Sequence, residues 1–329
     1  MKKLIYIIAL IIILVGLFFF IKNTSKQNKT QNTLANNKVT VQLKWINQAQ
    51  FSGYYFAKES GKYRNADLDV DLIPGGPDIS PIQSVVTGAS QFGVIGGDQI
   101  LLAREKGVPV VAVAVIYKKN PVALASLKKS NIMKPSDLEG KTVAMVYGKD
   151  EEVMYRAMLD EVGVKRSSIK EVPLTFDLSQ IITGKVDAQV VYEMNEPVLL
   201  EQKGFEINLM KPRDYGVNLY SDTLFTTEEM IRDHPDAVRK FVQATIQGWK
   251  DSFTDPKTAV DYVLKTNSSL NRDQQTQFLE LSKPLIVGDG NIGVSTQSDW
   301  ENMQNTLIKY QDMKNKIDVT KAFTNEFIN

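Results

Sequence analysis

Residues 38–45, KVTVQLKW, alternate apolar and polar side chains, the period of a strand with one buried face. GYYFAKESGKY (53–63) has helical spacing broken by a glycine, and LDVDLIPGG (68–76) predicts a second strand ending in a Gly-Gly turn. The alternation continues through a short helix at 81–90, a strand at 91–97, a helix at 98–107 closed by Gly107 and a long apolar strand at 108–117. After Pro121 the same vocabulary returns. KTVAMVYG (141–148) predicts a strand, 150–163 a helix closed by Gly163, and strands at 170–174 and 186–192 enclose a helix at 177–183. Strands alternating with short helices imply βαβ units, and hence parallel sheets with right-handed crossovers. From Thr227 onward the pattern is helical, at 235–253, 256–265, 271–281 and 296–314, which predicts helices packed on the first lobe.

The N-terminus breaks this pattern. Leu4 to Ile21 is an apolar run of 18 residues behind Lys2 and Lys3. As a helix it spans about 27 Å, enough to cross a hydrocarbon core of ~30 Å. The run ends in bulky Phe18-Phe19-Phe20-Ile21, a poor peptidase site, and a lipoprotein signal would need a cysteine. An uncleaved signal anchor is therefore favoured over a cleaved signal. Lys2 and Lys3 argue for an N-terminus inside, opposed weakly by Lys22, Lys26 and Lys29 on the far flank. Residues 22–38 are mostly Asn, Gln, Thr and Lys without apolar period and read as a polar tether.

Composition sharpens the division. Of the 39 basic residues, six lie in residues 1–38, where there is no acid, leaving 33 basic against 38 acidic side chains, net −5, in the rest. A basic anchor thus offsets an acidic globule, and a net charge of +1 argues against nucleic acid as a partner. The sequence has no Cys, which excludes disulfides, thiolate metal sites, cysteine nucleophiles and iron–sulfur clusters. The one His, His234, rules out a histidine-rich metal centre.

Open parallel sheets bind ligands beyond the C-terminal ends of their strands. The candidates are Trp45 to Phe51 with Gln48 among them, Gly75-Gly76-Pro77-Asp78, Gly96-Gly97-Asp98-Gln99, Tyr117, Tyr147-Gly148 and Glu193-Met194-Asn195-Glu196. Any single glycine reads as a tight turn; six such ends from two halves point together to one cleft. Asp78 and Asp98 also suit the N-caps of the helices that follow.

VQLKWINQAQFSGYYFAKESGKY, LDVDLIPGGPD, GASQFGVIGGDQ, GVPVVAVAVIY, DLEGKTVAM, GKVDAQVVYEMNEP and DYGVNLYSDTLFTT resemble, in this order, a solute-binding family of bacterial ABC importers. That family binds thiamine-pyrimidine precursors and is related to the pyrimidine synthases of eukaryotic thiamine biosynthesis. The resemblance covers roughly residues 39 to 250. It implies an α/β type 2 periplasmic-binding-protein fold, with two parallel or mixed-sheet lobes around a ligand cleft, here behind an N-terminal transmembrane helix. Residues 1–21 would be the anchor, 22–38 the tether, 39–118 and 219–329 lobe 1 with the C-terminal helices, and 119–218 lobe 2. Tyr117 to Asn120 and Tyr215 to Tyr220 would be the hinges. Closure would present a ligand-dependent face to a permease and its ATPase, on the extracytoplasmic side of the cell membrane, with the binder acting as a monomer.

The related synthases are enzymes. In the resemblance their cofactor-bearing His falls on Gln99 and their cysteine-rich iron segment on Gly216 to Tyr220, so this chain lacks both groups and is expected to be a binder without cofactor or metal. A flat heteroaromatic ligand would stack on aromatic faces while polar groups read its edge. Trp45 is the first stacking candidate, with core packing as its other reading, and Phe51, Tyr117, Tyr147 and Tyr215 lie at further strand ends or hinges. Phe51 stands where the precursor binders often carry His. Glu193 is the favoured carboxylate for amino or protonated ring-nitrogen donors, since only Arg213 lies near it in the motifs. Gln48, Gly76, Asp98, Gln99 and Asn195 complete the expected site. An amino-substituted pyrimidine is the expected ligand. The alternatives are a flavin, or a sensory role needing a separate signalling partner, since only three residues precede the apolar run.

Overall fold

Val39 and Val41, the apolar members of the first alternating segment, are fully buried in strand β1 (Lys38–Gln42). The computed structural model describes residues 37–288, 290–310 and 312–328. The anchor at 1–21 and the tether up to residue 36 lie outside the described residues, among which no helix is long and apolar enough to cross a membrane. From β1 the chain runs through α1 (Ser52–Glu59), α2 (Lys62–Asn65), β2 (Asp69–Ile73), α3 (Pro81–Val86), β3 (Phe92–Ile95), α4 (Gly97–Glu105) and β4 (Val110–Val115). It then forms β5 (Val122–Leu127), β6 (Thr142–Met145), α5 (Asp150–Glu161), β7 (Lys170–Pro173), α6 (Ser179–Ile182), β8 (Ala188–Tyr192), α7 (Glu196–Gln202) and β9 (Ile207–Met210). It returns with β10 (Thr223–Thr227) and ends in α8 (Glu228–Asp233), α9 (Pro235–Thr254), α10 (Pro256–Thr266), α11 (Arg272–Ile286) and α12 (Gln297–Lys309).

Two five-stranded sheets result, ordered β2-β1-β3-β10-β4 and β7-β6-β8-β5-β9. The βαβ units pair in parallel as their spacing predicts, β1 with β2 and β3, and β6 with β7 and β8. Both sheets are nonetheless mixed. β10 runs antiparallel between β3 and β4, and β5 antiparallel between β8 and β9. The chain therefore passes from the first sheet to the second between β4 and β5, and back between β9 and β10.

The C-terminal helices start where their sequence signals lie: Thr227, Asp255, Asn271 and Thr296 each accept a hydrogen bond from the backbone N–H three residues on. Helix α9 closes on α1 so tightly that only glycine fits at the contact. A Cβ on Gly248 would lie 2.2 Å from the Gly53 carbonyl oxygen, and one on Gly53 would run into the Trp249 ring. Trp249 is fully buried there, edge-on to Tyr54 and Tyr117, each at 6.2 Å. Gly248→Ala is thus expected to lose about 1–3 kcal/mol of stability by overpacking, despite alanine's better helix propensity. Denaturant unfolding checks this, and a stabilised variant would contradict it.

Candidate functional site

The C-terminal ends of the parallel strands meet across the two sheets and enclose a cavity of about 350 Å³. The first lobe contributes Lys44, Trp45, Gln48 and Gln50 beyond β1, Pro77 to Pro81 beyond β2, and Ile95, Gly96 and Gln99 beyond β3. The second contributes Val146 and Gly148 to Glu151 beyond β6, Leu174 and Phe176 beyond β7, and residues 190–192, Asn195 and Glu196 at the end of β8. Contacts across the mouth hold the lobes together. Lys44 Nζ donates to the Tyr192 hydroxyl at 3.0 Å, and Gln274 Nε2 on α11 donates to Asn195 Oδ1 at 2.8 Å.

One aromatic ring comes from each lobe. Trp45 and Phe176 lie with centroids 5.4 Å apart, tilted by 43°. Phe176 is half exposed and has φ +58°, a left-handed backbone that costs a bulky residue about 1–3 kcal/mol. The strained residue lies on the cavity wall, its ring against Trp45. Tyr192, half-buried, adds a third aromatic face.

The polar wall is acidic. Lys44 Nζ sits 3.4 Å from Asp222, whose other oxygen accepts from Gln50 Nε2 at 2.8 Å, and Gln48 donates to Gln50 in turn. Burial opposes the charge on Lys44, yet Tyr192, Asp222, Asp150 and Glu151 hold its ammonium well above the ordinary value. Burial likewise opposes ionisation of Asp150, but Lys44 and the Asn120 amide, which donates at 3.0 Å, keep it below the usual carboxylate range. Glu151 beside it is pushed to about 8 by burial and the Asp150 charge, and shares a side-chain hydrogen bond with Asp150. Burial and Asp150 also raise Asp98 to about 7. Burial raises Glu196 too, although it accepts from the Tyr192 N–H at 2.9 Å. Three buried carboxyl oxygens, Asp98 Oδ1, Glu151 Oε2 and Glu193 Oε1, accept no hydrogen bond, the last being ion-paired with Arg213. Among the described residues no group of three or more His, Asp or Glu is arranged to hold a metal ion.

Of the expected ligand contacts, Trp45, Gln48, Gln99 and Asn195 line the cavity, as do Gln50, Pro77, Asp78, Gly96, Gly148 and Glu196 from the same strand ends. Phe51 does not: the chain turns into a 3₁₀ segment at 49–51 and buries this ring in the core against Tyr54. Tyr117 is also core, its hydroxyl bonded to Ser282 at 3.0 Å. Glu193 is claimed by Arg213 and Lys211, with oxygens 2.7 and 2.8 Å from their nitrogens, and does not line the cavity. Tyr147 and Gly76 flank lining residues without lining it themselves, and Tyr215 packs against a core cluster that residues of both sheets share. Asp98 lies behind Gly96 rather than capping α4, whose N-cap is Gly96; Ser80, not Asp78, caps α3. Lys44, Asp150, Glu151, Phe176 and Tyr192 were not singled out. Each stands within three residues of a named strand end, so extending each strand end by one turn reaches them.

A family model described as NMT1/THI5 like matches residues 48–259. The riboflavin-binding protein RibY of Chloroflexus aurantiacus is 27% identical over 304 residues, 88% of this chain and 86% of that protein. The formylaminopyrimidine-binding protein of Halalkalibacterium halodurans is 25% identical over 327 residues, 97% of each chain. Among solved structures, the periplasmic aliphatic sulphonate-binding protein SsuA from Escherichia coli superposes with a TM-score of 0.72 at 15% identity, over 87% of this chain and 92% of that one. The last likeness establishes a shared periplasmic-binding-protein fold and nothing about ligand.

Proposed function

Because the chain belongs to the NMT1/THI5-like family, we propose that it is an extracytoplasmic solute-binding protein of an ABC importer, taking an amino-substituted pyrimidine of the thiamine-precursor kind between two closing lobes. Residues 39–118 and 219–329 form one lobe in this reading and 119–218 the other. The observation that carries it is Glu151 Oε2, a buried carboxyl oxygen that accepts no hydrogen bond, on the wall of a partly open cavity that also presents Trp45, Phe176 and Tyr192. Flat rings stack on such faces, and an exocyclic amine is the donor that such an oxygen lacks. An anionic ligand is disfavoured, because Lys44 is already engaged by Asp222 and Tyr192. Binding without turnover is supported by the similarity to two proteins named as binding proteins. Delivery to a permease and its ATPase, and anchorage through residues 1–21, complete the proposal.

A flavin is the second reading, favoured by a cavity of about 350 Å³, within the range typical of cofactor-sized ligands, and by the similarity to RibY. A thermal-shift screen of the purified chain against aminopyrimidines, flavins, purines and sulfonates tests both. A ligand at 100 times its dissociation constant is expected to stabilise by about 2.7 kcal/mol. A shift with sulfonates alone would sink the proposal, and product formed from a bound pyrimidine would replace binding by catalysis.

A further inference from the structure

A line of hydrogen bonds crosses the cleft on the side of α11. It starts at the Ala49 N–H, in the 3₁₀ segment whose neighbours Gln48 and Gln50 line the cavity, and this group donates to Gln275 Oε1 at 2.7 Å. Gln275 Nε2 donates to Gln274 Oε1 at 2.9 Å, and Gln274 Nε2 donates to Asn195 Oδ1 at 2.8 Å. Asn195 Nδ2 then donates to Glu196 Oε1 at 3.0 Å, and the other Glu196 oxygen accepts from the Tyr192 N–H at 2.9 Å. Asn195 and Glu196 line the cavity from the second sheet. Gln275 is fully buried and Gln274 nearly so, both at the start of α11, where the Asn271 cap accepts from the Gln274 N–H at 2.9 Å.

An amide side chain can present either its oxygen or its amino group, so a run of amides has two possible directions. Here the first link removes the choice, because a backbone N–H can only donate. Gln275 must turn its oxygen to Ala49 and its amino group to Gln274, and each later amide follows, down to a carboxyl group that accepts at both oxygens. Every member is satisfied, and only while the two sheets stand this close. The Gln274–Asn195 link joins a helix packed on the core of the first sheet to the turn that follows β8 in the second.

We propose that Gln274 and Gln275 are positioning residues for ligand capture: they set which way the Asn195 amide faces on the opposite cavity wall, hold Glu196 through it, and complete a line that exists only in the shut molecule. The inference rests on the solute-binding reading and adds to it the residues that keep the lobes shut on a ligand. A contact made in the shut state alone raises the population of that state by the free energy of the contact. It therefore slows ligand release and leaves the encounter rate nearly as it was.

Stopped-flow capture and release of 4-aminopyrimidine or riboflavin by the full chain tests this. Gln274→Glu keeps the bond from Gln275 but faces Asn195 with an oxygen, so Asn195 must turn its amino group to α11 and its own oxygen against Glu196. Release is expected to quicken about 10- to 100-fold, with the association rate little changed. Glu196→Gln alone leaves one of its two donors, Asn195 Nδ2 or the Tyr192 N–H, facing an amino group, and is expected to quicken release too. Combined, the two substitutions let the Asn195 amide turn over with every partner satisfied. The double variant is therefore expected to release ligand more slowly than either single one, a recovery that neither lost packing nor a lost ligand contact at Glu196 produces. Where Gln274→Glu does not fold, Gln274→Ala cuts the line instead, and Glu196→Gln is then expected to add no further loss. Unchanged release in folded Gln274→Glu, or single losses that simply add in the double variant, overturns the positioning role and leaves the solute-binding reading standing. A folded wild type that captures neither compound overturns both.

Discussion

Trp45→Ala is expected to weaken heterocycle capture by about 5- to 150-fold, the equivalent of a lost ring-stacking contact of ~1–3 kcal/mol. Trp45 is half-buried at the cavity wall, its ring 5.4 Å from that of Phe176 of the opposite lobe and tilted by 43°, so a flat ligand stacks on it by parting this ring contact. Trp45→Phe should keep most of the affinity, because a flat apolar face remains. The experiment carries its own optical readout. The sequence has three Trp, and Trp249 and Trp300 are fully buried, each among aromatic neighbours away from the cavity. A ligand-induced change in indole emission is therefore expected from Trp45 and should vanish in Trp45→Phe. Unaltered affinity in a folded Trp45→Ala chain would show that this ring only packs.

The residues explain how far sequence could reach. Strands β1, β2, β3, β6 and β8 could be read because alternation and glycine ends mark each βαβ unit. β5 offers no alternation: all six residues of VALASL are buried, the strand lying inside its sheet between β8 and β9. β10 is equally hidden, and its antiparallel direction follows from the chain returning to the first sheet, which no local period encodes. At the site, strand ends named the right region and often the wrong side chain. Phe51 and Tyr117 have the chemistry of stacking residues but turn into the core. Glu193 has the chemistry of a ligand carboxylate, yet Arg213 and Lys211 claim it. The Arg213 that seemed merely nearby in sequence was the signal. Asp150 and Glu151 read as ordinary acids of a helix start, because only the approach of Gly96 and Asp98 from the other lobe makes them unusual.

That convergence has a cost in the unliganded chain, which pH should expose. Asp98 and Glu151 are raised to about 7 and about 8, whereas in the unfolded chain both ionise near ~4. Below the unfolded value both states hold the protons, and the contribution to stability is fully present. Between the two values the folded chain keeps protons that the unfolded chain has released, so each rise in pH favours unfolding, until the contribution is lost above the folded values. Each group contributes a slope of at most about 1.4 kcal/mol per pH unit. Oppositely shifted acids such as Asp137, lowered by the Met133 and Lys134 N–H groups, and Asp160, lowered by Lys309 and Tyr310, act at the acid end instead. Without ligand, unfolding free energy is therefore expected to decline from about pH 5 to about pH 8, by several kcal/mol if both acids contribute, then level off. Glu151→Gln, neutral at every pH, should flatten the upper part of that decline, and Asp98→Asn the lower part. Denaturant midpoints across the range measure it. A wild type whose stability is constant or rises over this interval would mean that water reaches these carboxyls and that the end of the cavity is not closed around them.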